Sequence, residues 1–240
     1  MAQLDLLVVG YLNGLARACA PLDRLIYLIA SNHLFKGGVF ITLLWWFWFR
    51  AGERNQVVRE RVIATLLGAL IALLMARFLA VMLPFRPRPL HHPGLDFQLP
   101  YGMPARTLES CSSFPSDHGT LFFALAIGIW LISRPVGAFA FTYALLFIGL
   151  PRIYLGLHYP SDVVVGATIG MGAAWLVNRE GIRRRVTRPA MRWLHKAPGS
   201  FHAAAFLLCY EIANMFDNLR AIAHFALPIL RSIVNLASPM

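Results

Sequence analysis

From Val62 to Leu83 the chain runs for twenty-two residues with a single charged side chain, Arg77. A helix needs about 20 mainly apolar residues to cross the hydrocarbon core of a bilayer, whereas buried helices of soluble domains use shorter apolar stretches. Comparable runs recur at about 34–49, 118–132, 136–153, 162–177 and 201–216. They lack the alternation, about 10 residues at a time, that barrel strands require. Composition agrees: 58% of the chain is hydrophobic and 14% charged, against roughly 45–50% and about 25% in an ordinary soluble domain. The expected fold is therefore an all-α, polytopic membrane helical bundle of about six spans. Residues 1–33 mix apolar residues with Asp5, Arg17, Asp23 and Arg24 and read as interfacial amphipathic helices broken near Pro21. Residues 34–178 form the expected membrane core. Residues 179–240 read as a basic cytoplasmic segment followed by a C-terminal membrane helix.

The net charge of +11 is placed where a membrane protein uses it. Arg50, Arg54, Arg59 and Arg61, then Arg134, then the stretch Arg179 to Lys196 all fall on one side if the spans alternate. An excess of Lys and Arg marks the cytoplasmic side. The loop 84–117 and the connection 152–160 then share the opposite, outer side. This distribution accounts for the charge without a nucleic-acid partner. Three cysteines, Cys19, Cys111 and Cys209, have no metal-ligand spacing.

Three polar segments gather on the outer side. Arg86-Pro87-Arg88-Pro89 closes the run that contains Arg77; Arg77 and Arg88 are eleven residues apart, about three helical turns. Guanidinium groups bind phosphate oxygens through paired hydrogen bonds, although arginines at a span end also serve as interfacial anchors. Ser113-Phe114-Pro115-Ser116-Asp117-His118-Gly119 opens the next apolar run. A helix start offers unpaired N–H groups to an anion, and His118 can exchange a proton near neutral pH; an ordinary cap uses the same residues. Arg152-Ile-Tyr-Leu-Gly-Leu-His158-Tyr-Pro-Ser-Asp162 joins the last two core runs. With the two four residues apart, the Asp162 carboxylate can accept from one nitrogen of His158, leaving the other free as nucleophile or base. A structural His–Asp cap has the same spacing. Together the segments supply positive charge, an oriented nucleophile and an acid for a leaving oxygen, which are the needs of phosphoryl transfer.

The order of these segments resembles the type-2 phosphatidic-acid phosphatase family, which shares its core with vanadium haloperoxidases. That family carries K-x6-R-P, P-S-G-H and S-R-x5-H-x3-D. The matching residues here are Arg88-Pro89, Pro115-Ser116-Asp117-His118, and Arg152 with His158 and Asp162. The resemblance implies that His158 attacks phosphorus to form a phosphohistidine, that Asp162 orients it, and that His118 protonates the leaving oxygen. Arg88, Arg152, Ser116, Asp117 and Gly119 are implied around the phosphate, with Arg86 and Arg77 as further arginines for it. No metal or other cofactor is implied. Val81 stands where the family has its lysine, Asp117 where it has glycine, and Pro151 where it has serine; Arg77, one turn before Val81, is the substitute expected for the lysine.

The Asp117 variant, with Arg-Pro-Arg-Pro upstream, looks like the bacitracin-resistance type of undecaprenyl-diphosphatase. That type acts at the outer face of the bacterial inner membrane. Arg106 is an option for the second phosphate, a plain surface charge being the other reading. The alternatives in substrate are phosphatidic acid, phosphatidylglycerol phosphate or a lipid A phosphate. Phosphotransfer to an acceptor other than water is a related option, and a lipid-phosphate binder or transporter without catalysis is the rival from another class.

Overall fold

The computed structural model describes residues 2–50, 56–223, 225, 226 and 228. Glu53 and Arg54 of the basic connection, and residues 229–240 of the C-terminal segment, lie outside the described residues. Among the described residues the regular structure is helical. The helices are α1 (Ala2–Asn13), α2 (Ala20–Ser31), α3 (Leu34–Arg50), α4 (Gln56–Met82), α5 (Asp117–Ile132), α6 (Arg134–Tyr154), α7 (Pro160–Val177), α8 (Glu180–Lys196) and α9 (Pro198–Ala213).

Helices α4, α6 and α7 are long and apolar enough to cross a membrane, and α2 with α3, bent by 65°, can be counted as a fourth. Six spans were expected. The difference lies in α5 and α9, each 16 residues, or about 24 Å at 1.5 Å per residue, short of the roughly 30 Å hydrocarbon core.

Helix α5 is the central element. Leu121, Phe122, Leu125 and Ile129 on it are fully buried, in one apolar cluster with Leu44 of α3, Leu73 of α4 and Ile148 of α6. Its closest partner is α7, and glycines make that contact possible. A Cβ on Gly166 would sit 2.4 Å from the Ser116 carbonyl oxygen, and one on Gly170 would sit 2.0 Å from that of Thr120. Small residues let apolar helices approach backbone to backbone. Here the approach seats the first turn of α5 beside the start of α7.

Connections at the helix ends separate two kinds of residue. At one end Arg61 donates to the Leu131 carbonyl, and Arg183 pairs with Glu60 at 3.4 Å. At the other, the Ser113 amide donates to the Arg86 carbonyl at 2.9 Å and the Ser116 amide to the Asp162 carbonyl at 3.1 Å. The polar motifs are thus collected at the end away from Arg61 and Arg183.

Helices α1 and α2 fasten the long loop over that end. Asn13 exchanges two hydrogen bonds with the backbone of Gln98, and Asp23 accepts from the Tyr101 amide at 2.9 Å and from the Tyr154 hydroxyl. Asp5 and Asp23 are both buried. Two of the charged residues of 1–33, Asp5 and Asp23, are therefore engaged in internal contacts with the motif end, while Arg17 and Arg24 stay exposed.

Candidate active site

His158 sits in the turn between α6 and α7. Gly156 makes the turn by adopting φ +66°, a conformation that a side chain disfavours, and the His158 amide closes it on the Arg152 carbonyl at 3.2 Å. The His158 ring is buried. Its Nδ1 lies 2.7 Å from the Ser113 carbonyl oxygen. A carbonyl can only accept, so Nδ1 carries the proton. At the far side Nε2 faces the Arg88 guanidinium at 3.2 Å. An arginine can only donate, so Nε2 presents its lone pair. Burial lowers the His158 pKa from its ordinary value; the Asp162 charge opposes this and Arg88 adds to it. Both effects of burial and Arg88 favour the neutral ring with a free Nε2.

The expected direct contact from Asp162 to His158 is not made: the carboxylate stands 3.8 Å from Nδ1. One Asp162 oxygen accepts from the Tyr159 amide at 2.8 Å, and the other from Arg86 at 2.5 Å. The helix start has orphan amides to satisfy, and Asp162 serves them at the third position of α7. Ser113 supplies the acceptor for the histidine instead. Asp162 fixes the turn that carries His158.

Arg86 also departs from expectation. Besides Asp162 it reaches Asp5 at 2.8 Å and the Ser161 hydroxyl at 3.0 Å, and its guanidinium lies over the Tyr159 ring at 4.1 Å from the centroid. It is committed to two buried carboxylates rather than turned to a ligand. Burial alone would raise the Asp5 pKa, but the Ser161 hydroxyl and Arg86 outweigh it and hold the carboxylate low. Asp5 and Ser161 thus belong to the support of the site, joined by a Ser161 hydroxyl to Asp5 bond of 2.6 Å.

On the opposite wall, His118 projects from the first turn of α5. Its Nδ1 is 2.9 Å from Asp117 Oδ1, and its Nε2 is 2.5 Å from an Arg152 nitrogen. The same tautomer argument assigns the proton to Nδ1, donated to Asp117, with Nε2 accepting from Arg152. Arg152 also donates to the Ala30 carbonyl at 3.0 Å. Ser116 and Gly119 stand one step back: the Ser116 hydroxyl is buried and caps α5 by accepting from the Gly119 amide at 3.2 Å.

A cavity of about 930 Å³ opens between these walls, lined among others by Lys36, Arg77, Arg88, Asp117, His118, Arg152 and His158. Lipid headgroups fit such a volume; ligand pockets commonly span about 300–1,000 Å³. Arg77 donates to the Met215 carbonyl at 3.0 Å and still lines the cavity. Val81 lies at its rim, 76% exposed. Arg106 is exposed and does not line this cavity. The cavity also contains residues outside the motifs: Lys36 from the first turn of α3, and Asp217 with Arg220 beyond α9. Lys36 and Asp5 each carried one available signal, a charge within an otherwise apolar stretch.

Two histidines face one arginine-lined cavity, each with its Nε2 lone pair turned to an arginine, an arrangement chemically suited to an anion. Residues 78–184 match the PAP2 superfamily, the type-2 phosphatidic-acid phosphatases anticipated by the motif order. Among individual proteins it is similar to the bacitracin transport permease protein BcrC of Bacillus licheniformis, 26% identical over 73% of this chain and 80% of that one. It is likewise similar to the undecaprenyl-diphosphatase BcrC of Bacillus subtilis (strain 168), 27% identical over 70% of this chain and 79% of the relative. Among solved structures, Aquifex aeolicus LpxE aligns with a TM-score of 0.49 at 27% identity, covering 72% of this chain and 93% of that one.

Proposed function

We propose that this protein is a membrane lipid phosphatase that removes a phosphate through a phosphohistidine on His158, with undecaprenyl diphosphate as substrate. The observation that carries this reading is the tautomer of His158: Nδ1–H held by the Ser113 carbonyl, Nε2 open beside Arg88. In the proposed reaction Nε2 attacks the terminal phosphorus while Arg88 and Arg152 turn from the histidines to the phosphate oxygens. The turn of Arg152 frees His118 Nε2 to take a proton from water and pass it to the leaving oxygen; the water that later attacks the phosphohistidine returns a proton to Nε2. Water then attacks the phosphohistidine, breaking the N–P bond and releasing inorganic phosphate. No step calls on a metal.

The relative named undecaprenyl-diphosphatase, similar over 70% of this chain, supports undecaprenyl diphosphate over phosphatidic acid, phosphatidylglycerol phosphate and lipid A phosphates. The position of the site, at the end of the bundle away from Arg61, Arg134 and Arg179, supports an outward-facing site in a bacterial inner membrane. The word "permease" in the name of one relative keeps a transporter without catalysis as the reading to beat. Phosphate release decides between them: purified protein in detergent with EDTA releases phosphate from undecaprenyl diphosphate faster than from phosphatidic acid, and His158→Ala does not. Binding without release from any lipid would establish the transporter reading, and strict dependence on added divalent cation would overturn the mechanism.

A further inference from the structure

Two cations in the cavity, Lys36 and Arg220, have no counterpart in the three motifs, and Arg220 is paired with Asp217. Lys36 belongs to the π-helical turn Leu34–Gly38 that opens α3, and it is 5% exposed. It lines the cavity. Among the described residues its ammonium has no hydrogen-bond or ion-pair partner, and the charges that act on it are those of Arg152, Asp117 and Arg220. The residue is buried while its ammonium opens onto the cavity, and a cation held in so enclosed a place with Arg77, Arg88 and Arg152 is costly without an anion. An ionisable group kept in such a place points to a ligand of opposite charge.

The surroundings fix which part of the ligand it meets. Arg88 and Asp162 are the charged neighbours of His158 at the nucleophile wall. Lys36 shares the cavity with His118 and its partner Arg152; the next residue, Gly37, packs against Ala213 at the end of α9, and Arg77 donates to the Met215 carbonyl just beyond it. His118 marks the side on which the leaving group departs. In a monoester the atoms beyond the leaving oxygen are carbon, and cations there have no charge to meet. In a diphosphate they are a second phosphate.

We propose that Lys36, with Arg77 lining the same cavity, holds the lipid-side phosphate of a diphosphate substrate and makes the site selective for diphosphates over monoesters. This rests on the phosphatase reading above. As the bond from His158 Nε2 to the terminal phosphorus forms, the bond from that phosphorus to the bridging oxygen breaks. The electron pair stays on the bridging oxygen, which leaves as part of the lipid monophosphate. Lys36 and Arg77 offset that charge, so the leaving phosphate depends little on a proton relayed from water through His118 Nε2.

The test compares a polyprenyl diphosphate with the monophosphate of the same chain in one detergent, using the full chain, Lys36→Gln and Lys36→Arg. Lys36→Gln should lower the diphosphate-to-monophosphate ratio of kcat/KM about 100-fold, the loss seen when one transition-state donor is removed. Lys36→Arg should restore most of that ratio. An equal loss on both substrates would assign Lys36 to the transferred phosphate and overturn the proposal, as would no change in the ratio. Wild-type activity on the monophosphate alone would also overturn it while leaving the phosphatase reading intact. No activity on either lipid would instead sink the phosphatase reading. If gel filtration shows that Lys36→Gln does not fold, Arg77→Gln measured by the same ratio decides.

Discussion

Arg86→Met separates a supporting arginine from a substrate-binding one. Its guanidinium holds Asp162 at 2.5 Å and Asp5 at 2.8 Å, and both carboxylates are buried, 0% and 3% exposed. Removing one partner from a buried ion pair costs about 3–5 kcal/mol, because a charge is left without compensation. The Arg86 side chain keeps 30% of its exposure, so water can partly replace it, and we expect a loss at the lower end, about 3 kcal/mol. Asp5→Asn in the same chain removes one of the stranded carboxylates and should recover part of the loss, with a coupling of about 1–3 kcal/mol. The assay is unfolding of the purified protein in mixed micelles, for wild type, both single variants and the double variant. In parallel, phosphate release should show kcat falling roughly 10- to 100-fold, as for other second-layer orienting groups, with KM nearly unchanged. Additive stabilities together with a raised KM at constant kcat would refute the reasoning and return Arg86 to the substrate.

The acid limb of kcat/KM should fall at a pH below the ordinary imidazole value of about 6.5, because burial favours neutral His158 and the nucleophile must be unprotonated. The same shift makes stability highest above the unfolded-state pKa and erodes it as pH drops below that value, as the unfolded chain takes up the proton first; a limb above the ordinary value would contradict this. His118→Ala should cost about 10²–10⁴-fold on a lipid monophosphate, whose leaving alkoxide needs a proton, and clearly less on a diphosphate, whose leaving phosphate needs it less. Equal losses on the two would remove His118 as the acid. Gly170→Ala places a Cβ 2.0 Å from the Thr120 carbonyl oxygen; overpacking of this kind costs about 1–3 kcal/mol or more, so its melting temperature should drop and its activity with it. A wild-type melt would show that α5 and α7 are not held together as described.

The residues of the site that were legible in the sequence are those with short-range spacing. Arg88, His118, Arg152 and His158 come together because each stands at the end of a long apolar helix, and the ends at which they stand follow from the alternation of the runs. What spacing could not supply is the division of labour among groups that compete for partners. Asp162 lies four residues from His158, but the amide of Tyr159 and the charge of Arg86 claim its oxygens, and the acceptor for His158 comes from Ser113, 45 residues away. Ser116 likewise serves its own helix start. Lys36 and Asp5 stood out only as charges in apolar stretches; their places in the site depend on the 65° bend between α2 and α3 and on the docking of α1, tertiary events with no local periodicity to announce them.

The central claim is that His158 Nε2 becomes covalently bonded to phosphorus. Rapid quenching of the wild-type protein in base during turnover of a terminally ³²P-labelled polyprenyl diphosphate, followed by peptide mapping, tests it directly. The account predicts acid-labile, base-stable label on the peptide containing His158, absent in His158→Ala, which also ceases to turn over. Label on another residue, or turnover that persists in His158→Ala, would contradict it.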